Sequence, residues 1–181
     1  MIVAYDRVLT TLCFQRNLEQ LVQPERQSPK GISAKEVEYV ASRMAMTFLY
    51  GLSESWVFQA ETLNLIDLSP RKATQDQLEQ CERVANNVLL FEGVVNRSGA
   101  PGAAMKYSHA KQVRTRIQIA RVLYRKASFG RYLLPDDRAL LKAMSNHSLE
   151  WVKYLSILPN NDFWDQLGGL QTELRYRLEL P

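Results

Sequence analysis

The arrangement of apolar and polar positions along this chain is that of a helical protein. Apolar residues recur at spacings of three and four over successive stretches, and polar breaks that contain proline or glycine separate these stretches. The pattern predicts an all-α fold, a single-domain helical bundle of about five to seven helices over residues 1–181. Flexible loops are expected near 23–32 and 96–102.

Two segments carry the signature of a helix start. Ser33-Ala34-Lys35-Glu36 and Thr74-Gln75-Asp76-Gln77 each place a hydroxyl residue three positions before Glu or Gln, which is the form of a capping box. We therefore expect helices at about 33–67, with a bend at Gly51, and at about 74–91. Further helices are expected at about 2–22, 103–128 and 135–158, and a last one from Asp162.

The apolar spacing predicts which residues lie together on one apolar face of each helix. In the first helix, one face carries Tyr5, Val8, Leu9 and Leu12. The inward residues expected elsewhere are Val37, Ala41, Met44, Phe48 and Leu52, then Leu78, Cys81, Ala85, Val88 and Phe91, then Leu141, Met144, Trp151, Leu155 and Leu158. The tail from Leu174 to Leu180 alternates strictly, which is typical of a strand. Because it has no second convincing strand to pair with, a fraying helix end is favoured, and a short C-terminal strand remains the alternative.

Composition indicates an ordinary globular protein in a reducing compartment. The chain is 46% hydrophobic and 23% charged, and its two cysteines, Cys13 and Cys81, lie on apolar-periodic segments without a CxxC pairing. We expect buried free thiols and a cytoplasmic protein. The N-terminus does not have the form of a secretory signal, and no run approaches the roughly 18 apolar residues that span a bilayer.

The most unusual feature of the chain is a run of positive charge. The segment between Gly93 and Pro135 has nine Lys or Arg residues and no Asp or Glu, whereas the whole chain has 23 basic and 19 acidic residues. Removing those nine leaves 14 basic against 19 acidic residues. The chain's excess of positive charge therefore belongs to one segment of an otherwise acidic protein.

On a helix at about 103–128, basic and apolar residues fall on separate faces. An apolar stripe is formed by Val113, Ile117, Ala120, Tyr124 and Ala127. Beside it lies the basic stripe, formed by Lys111, Arg114, Gln118, Arg121 and Arg125, about 21 Å long at ~1.5 Å per residue. Because Arg121 and Arg125 repel each other at four-residue spacing, we expect an external anion or another part of the fold to offset their charge.

Three kinds of partner suit the basic stripe. We favour a nucleic-acid backbone (RNA, or single- or double-stranded DNA), because the segment has six Arg to three Lys and the planar Arg fork matches phosphate. The alternative is an adaptor or scaffold whose basic helix meets an acidic partner or the protein's own acidic surface, such as the helix with Glu36, Glu38, Glu54 and Glu61. An anionic membrane is least favoured, because the helix lacks a bulky Trp, Phe and Leu face.

The candidate site residues follow from this hypothesis. Those expected to contact phosphate are Arg97, Lys106, Lys111, Arg114, Arg121, Arg125 and Arg131. Those expected to stack on unpaired bases are Tyr107, Phe129 and Tyr132.

No catalytic constellation is recognisable, so we expect a non-enzymatic protein without metal or cofactor. Neither His109 nor His147 belongs to a Glu-x-x-His pair, and HExxH, GxSxG and P-loop motifs are absent from the sequence. A small basic helical bundle of this kind is similar in shape and charge to small helical subunits of RNA-guided effector complexes, with which it shares no motif. We therefore expect a subunit of a larger nucleoprotein assembly, with protein partners or self-association.

Overall fold

The computed structural model describes residues 2–22, 31–50, 60–90, 92–93 and 105–158. Its helices in these ranges are α1 (Ile2–Val22), α2 (Ala34–Tyr50), α3 (Ala60–Asp67), α4 (Gln75–Leu90), α5 (Met105–Ala127) and α6 (Pro135–Ile157). The described residues contain no strand, and the all-α prediction is confirmed.

Several predicted features lie outside the described residues. They are the bend at Gly51, the loop at 96–102, most of the loop at 23–32, the helix from Asp162 and the strand alternative at 174–180. These stay predictions.

The chain divides into two compact units. Unit 1 comprises residues 1–51 and 157–181, and unit 2 comprises residues 52–156. Each unit is of a size that can hold a core of its own. Whether the two behave as the single domain expected from the sequence stays a prediction.

In unit 1, α1 packs against α2 through a face different from the one expected. The buried positions of α1 are Thr10, Phe14, Leu18 and Val22, which follow one another at four-residue spacing. Val8 and Leu12, expected on the apolar face, are 56% and 54% exposed. Apolar residues occur nearly all round this helix, so periodicity alone did not select a face. The side chains of Tyr5 and Leu9, the other two residues of the expected face, lie outside the described set.

The helix starts form as the capping boxes predicted. The Ser33 backbone N–H donates to Glu36 Oε2 at 2.9 Å, and the Glu36 N–H donates back to Ser33 Oγ at 3.3 Å. At α4, the Thr74 N–H donates to Gln77 Oε1 at 2.9 Å, and the Gln77 N–H donates to Thr74 Oγ1 at 3.2 Å. Both predictions are confirmed. Each box satisfies backbone donors that a helix start leaves without an intrahelical partner.

The core of unit 2 forms where α4 and α5 pack together. The buried face of α4 includes Leu78, Cys81, Ala85 and Val88, as expected from the sequence, and the side chain of Phe91 lies outside the described residues. Across from it, the Tyr124 hydroxyl donates to Asn86 Oδ1 at 2.7 Å in the interior. A buried polar pair of this kind helps to fix the register of the two helices, because a slip would break a hydrogen bond in the interior.

The last described helix, α6, begins at Pro135 and ends at Ile157, two residues before Pro159. Its predicted inward residues are all buried: Leu141, Met144, Trp151 and Leu155, and with them Leu158 just beyond the helix. Leu155 packs closely on Gly93, where an added Cβ would lie 2.6 Å from the Leu155 Cβ. Only glycine allows this approach without a shift of the backbone.

Candidate nucleic-acid interface

Helix α5 separates its apolar and basic residues as the sequence predicted. Ile117, Ala120, Tyr124 and Ala127 are buried, and the side chain of Val113 lies outside the described residues. The apolar stripe therefore faces α4. This packing fixes the rotation of α5 about its axis, and so it decides which basic residues reach solvent.

Two arginines of the basic stripe point to solvent. Arg114 and Arg125 are exposed, as is Gln118 between them. The two arginines are eleven residues apart, which brings them to the same helix face about 16 Å apart along the axis at ~1.5 Å per residue. Within the described ranges, neither forms an ion pair or a side-chain hydrogen bond. Their charges are thus available to a ligand.

Arg121 lies in the same stripe but takes part in the contact between α5 and α6. Its Nε donates to the carbonyl oxygen of Ser145 at 3.1 Å, and Ser145 Oγ donates to the carbonyl oxygen of Arg121 at 2.8 Å. The side chain is half-buried. Its expected role in phosphate contact stays a prediction, and the structure shows that it also holds two helices together.

Two further basic residues of the segment serve the interior of unit 2. Arg116 Nη1 lies 2.5 Å from Glu92 Oε1, and the Glu92 side chain is fully buried. Lys126 Nζ donates to the carbonyl oxygens of Leu65 at 2.8 Å and Leu68 at 2.7 Å, and also to that of Ile66. The carbonyls of Leu65 and Ile66 belong to the last turn of α3, and that of Leu68 follows it directly. A helix end leaves acceptors without intrahelical donors, and positive charge is favoured there. Neither role is visible in the local sequence pattern, because both partners lie far away along the chain.

The turn that follows α5, residues 128–134, exposes two of the three aromatic candidates. Phe129 is 52% exposed and Tyr132 is 82% exposed, and the neighbouring Arg131 is exposed as well. The backbone N–H of Arg131 donates to Gln75 Oε1 at 3.2 Å, which joins this turn to the start of α4. The structure thus brings Arg131 and two aromatic rings to the C-terminal end of the basic stripe.

The remaining candidates lie wholly or in part outside the described residues. Arg97 lies outside the described residues, and Lys106, Tyr107 and Lys111 belong to α5 with side chains outside the described set. Their predicted roles stay predictions.

The acidic residues expected opposite the stripe are in part accounted for. Glu36 is buried and accepts hydrogen bonds from Ser33 at the start of its own helix, and Glu38 is exposed. The side chains of Glu54 and Glu61 lie outside the described residues. Glu36 therefore has a local role at the start of α2.

The thiol chemistry of the described residues is that of buried or half-buried free cysteine. Cys13 is half-buried and Cys81 is buried, and both are free. Desolvation raises the pKa of the Cys81 thiol to about 11, although the nearby Lys126 acts in the opposite direction. A thiol with this pKa is protonated at neutral pH and is a poor nucleophile or metal ligand.

The described part of the chain has neither a metal-binding group of side chains nor a membrane-spanning helix. No group of three or more His, Cys, Asp or Glu residues there is arranged to hold a metal ion. Nor does any described helix combine the length and apolar character that crossing a membrane requires.

Comparisons with known proteins identify no relative. No protein-family model, curated protein or solved structure matches this chain. The assignment of a function therefore rests on the charge, exposure and contacts of the residues described above.

Proposed function

We propose that this protein binds the phosphate backbone of nucleic acid through the exposed face of α5. The observation that carries the proposal is the pair Arg114 and Arg125, exposed on one face and without an ion pair among the described residues. The two arginines are about 16 Å apart along the helix, and one strand of a duplex has about five phosphates over that distance. Guanidinium groups at this spacing can contact separate phosphates of one backbone.

The rigid attachment of α5 supports this proposal. The helix is fixed by its apolar stripe, by the Tyr124–Asn86 hydrogen bond and by the paired contacts of Arg121 and Ser145. A charged face on a fixed helix binds with little further loss of conformational freedom. Backbone binding also accounts for the absence of acidic residues from the segment, because carboxylates there would repel phosphate.

In this proposal the protein is a non-enzymatic subunit of a cytoplasmic nucleoprotein assembly. The free thiols of Cys13 and Cys81 suit a reducing compartment. Val8 and Leu12, exposed on successive turns of α1, would suit a protein partner, because exposed apolar side chains are often used at such contacts.

The proposal is tested by removing the two charges and measuring the salt dependence of binding. We expect Arg114→Gln with Arg125→Gln to weaken binding of a labelled oligonucleotide by at least about tenfold near 0.1 M salt. The slope of log affinity against log salt should become shallower by about 1.4 to 1.8, from two lost contacts at ~0.7 to 0.9 each. Fluorescence anisotropy over a salt series measures both quantities.

The chain offers a matched control on α6. Lys142 and Lys153 are also exposed and also eleven residues apart, so Lys142→Gln with Lys153→Gln removes the same charge at the same spacing. We expect this variant to bind nearly as the unchanged protein does. Equal losses in the two double variants would indicate an unspecific effect of net charge, and no binding by the unchanged protein at low salt would refute the proposal.

A further inference from the structure

Unit 2 carries exposed cationic residues that the basic segment does not include. Arg71 and Lys72 are both exposed in the turn between α3 and α4, residues 68–74. They are far from α5 in the sequence, and nothing in their local pattern connects them with it. The hydrogen bonds of the structure provide that connection.

Both ends of the turn at 68–74 are attached to the end of α5 and the turn that follows it. At one end, Lys126 Nζ donates to the carbonyl oxygen of Leu68 at 2.7 Å. At the other end, Gln75 Oε1 accepts from the backbone N–H of Arg131 at 3.2 Å. The turns at 68–74 and 128–134 therefore lie side by side at one end of the α3–α4–α5 group.

The backbone of each turn is held by its own hydrogen bonds. In the first, the Lys72 and Ala73 N–H groups donate to the Ser69 carbonyl oxygen at 3.0 and 3.1 Å. In the second, the Phe129 N–H donates to the carbonyl of Lys126 at 3.0 Å, and Arg138 Nη2 donates to that of Gly130 at 3.2 Å. The exposed rings thus project from a fixed backbone, which lowers the conformational cost of binding.

Together the two turns and the end of α5 carry four exposed cations and two exposed aromatic rings. The exposed cations are Arg71, Lys72, Arg125 and Arg131, and the rings are Phe129 and Tyr132. The nearest acidic residues in sequence are Asp67 at the end of α3, Asp76 in the first turn of α4, and Asp136 and Asp137 in the first turn of α6. The last three sit where helix N-termini favour negative charge, so local structure explains them.

We propose that these two turns form a stacking platform for single-stranded nucleic acid. This inference rests on the proposed backbone binding and deepens it by naming the form of the strand. In this proposal bases stack on Phe129 and Tyr132, and phosphates contact Arg71, Lys72 and Arg131. A duplex suits this surface poorly, because its bases are already stacked on one another and present no free face.

Binding measurements with paired ligands test the platform. A labelled single strand and a hairpin duplex of matched length are compared with the full chain by fluorescence anisotropy. We expect Phe129→Leu with Tyr132→Leu, which keeps apolar bulk but removes the flat rings, to weaken single-strand binding by at least about tenfold. Duplex binding should change by less than about twofold. Leu134→Ala removes exposed apolar surface from the same turn and is the control, with no effect expected on either ligand.

A second double variant tests the contribution of the turn at 68–74. Arg71→Gln with Lys72→Gln should weaken single-strand binding and reduce its salt slope by about 1.4, since single strands lose ~0.7 for each phosphate contact. The Lys142→Gln with Lys153→Gln variant again serves as the control of equal charge. Circular dichroism of every variant checks that the helices are intact.

Photo-crosslinking locates the bases directly. An oligonucleotide that carries 5-iodouracil reacts on irradiation with aromatic side chains in stacking contact. Trypsin then separates the two rings, because cleavage after Lys126, Arg131 and Arg138 gives one peptide with Phe129 and another with Tyr132. We expect crosslinked bases on one or both of these peptides, and none in the Phe129→Leu with Tyr132→Leu variant.

The outcomes separate the platform from the broader proposal. If the ring variant binds single strands as the unchanged protein does, while the Arg114 and Arg125 variant is weakened, the platform is refuted and backbone binding stands. Preference for the duplex, or crosslinks confined to other peptides, refutes the platform in the same way. If neither ligand binds at low salt, both proposals fail, and an acidic protein surface becomes the partner class to test.

Discussion

The thiol of Cys81 shows how strongly burial changes the chemistry of a single residue here. It lies in the core between α4 and α5, where desolvation raises its pKa to about 11, while the positive charge of Lys126 acts in the opposite direction. The unfolded chain exposes the same thiol to water, where its pKa is close to 9. Folding therefore favours the protonated thiol.

This difference predicts a loss of stability in alkali. Above pH 9 the unfolded state releases the Cys81 proton and the folded state keeps it, so the free energy of unfolding falls as the pH rises from 9 towards 11. We expect the unchanged protein to lose about 1 kcal/mol more than Cys81→Ala between pH 8 and pH 10. Urea unfolding at several pH values measures the difference.

The comparison with Cys81→Ala separates this thiol from other groups that titrate in alkali. Tyr and Lys side chains are the same in both proteins, and a cavity left by the substitution lowers stability equally at each pH. Parallel pH profiles for the two proteins would contradict the assignment of a raised pKa to Cys81.

At the scale of helices, local patterns were predictable and long-range contacts were not. The capping boxes at Ser33 and Thr74 and the apolar stripe of α5 depend on residues three to four positions apart, and the sequence displays such spacings directly. The contact of Lys126 with Leu65 joins residues 61 positions apart, and the Arg116–Glu92 pair joins residues 24 apart. The choice between two apolar faces of α1 likewise depends on α2, which local periodicity does not include.

The contact between Lys126 and α3 predicts an effect on one helix in particular. Lys126→Met keeps most of the aliphatic side chain but removes the donors to the last carbonyls of α3. We expect the free energy of unfolding to fall by about 1 to 2 kcal/mol. Hydrogen exchange of the α3 amides should speed up more than that of the α6 amides, because α3 loses its C-terminal cap.

Lys142→Met is the matched control for this prediction. Lys142 is exposed on α6 and its ammonium group forms no hydrogen bond among the described residues, so its replacement should change stability by less than about 0.5 kcal/mol. Equal effects of the two substitutions would show that the carbonyl contacts do not stabilise α3.

Over the whole molecule, the excess of positive charge belongs to unit 2. Unit 2 contains 15 of the 23 basic residues and 10 of the 19 acidic ones, whereas unit 1 contains 8 and 9. The described residues that carry both proposals all belong to unit 2. Unit 1 is nearly neutral, and none of its residues belongs to the proposed nucleic-acid contacts.

The compactness of unit 2 predicts that it folds without unit 1. Its 105 residues are within the usual size of a domain, and α4, α5 and α6 contribute an internal core. We expect residues 52–156 expressed alone to give a helical circular dichroism spectrum and a cooperative thermal transition. A spectrum typical of an unfolded chain would favour the single domain expected from the sequence.

The contact between Gly93 and Leu155 has a consequence for how this sequence can vary. Because an added Cβ at 93 would lie 2.6 Å from the Leu155 Cβ, a side chain at one position excludes the present side chain at the other. A side chain at 93 should therefore be accepted only when the residue at 155 changes as well. In a library that randomises both positions and selects for folded protein, larger residues at 93 should be recovered only with glycine at 155, because every other residue keeps the Cβ that lies in the way.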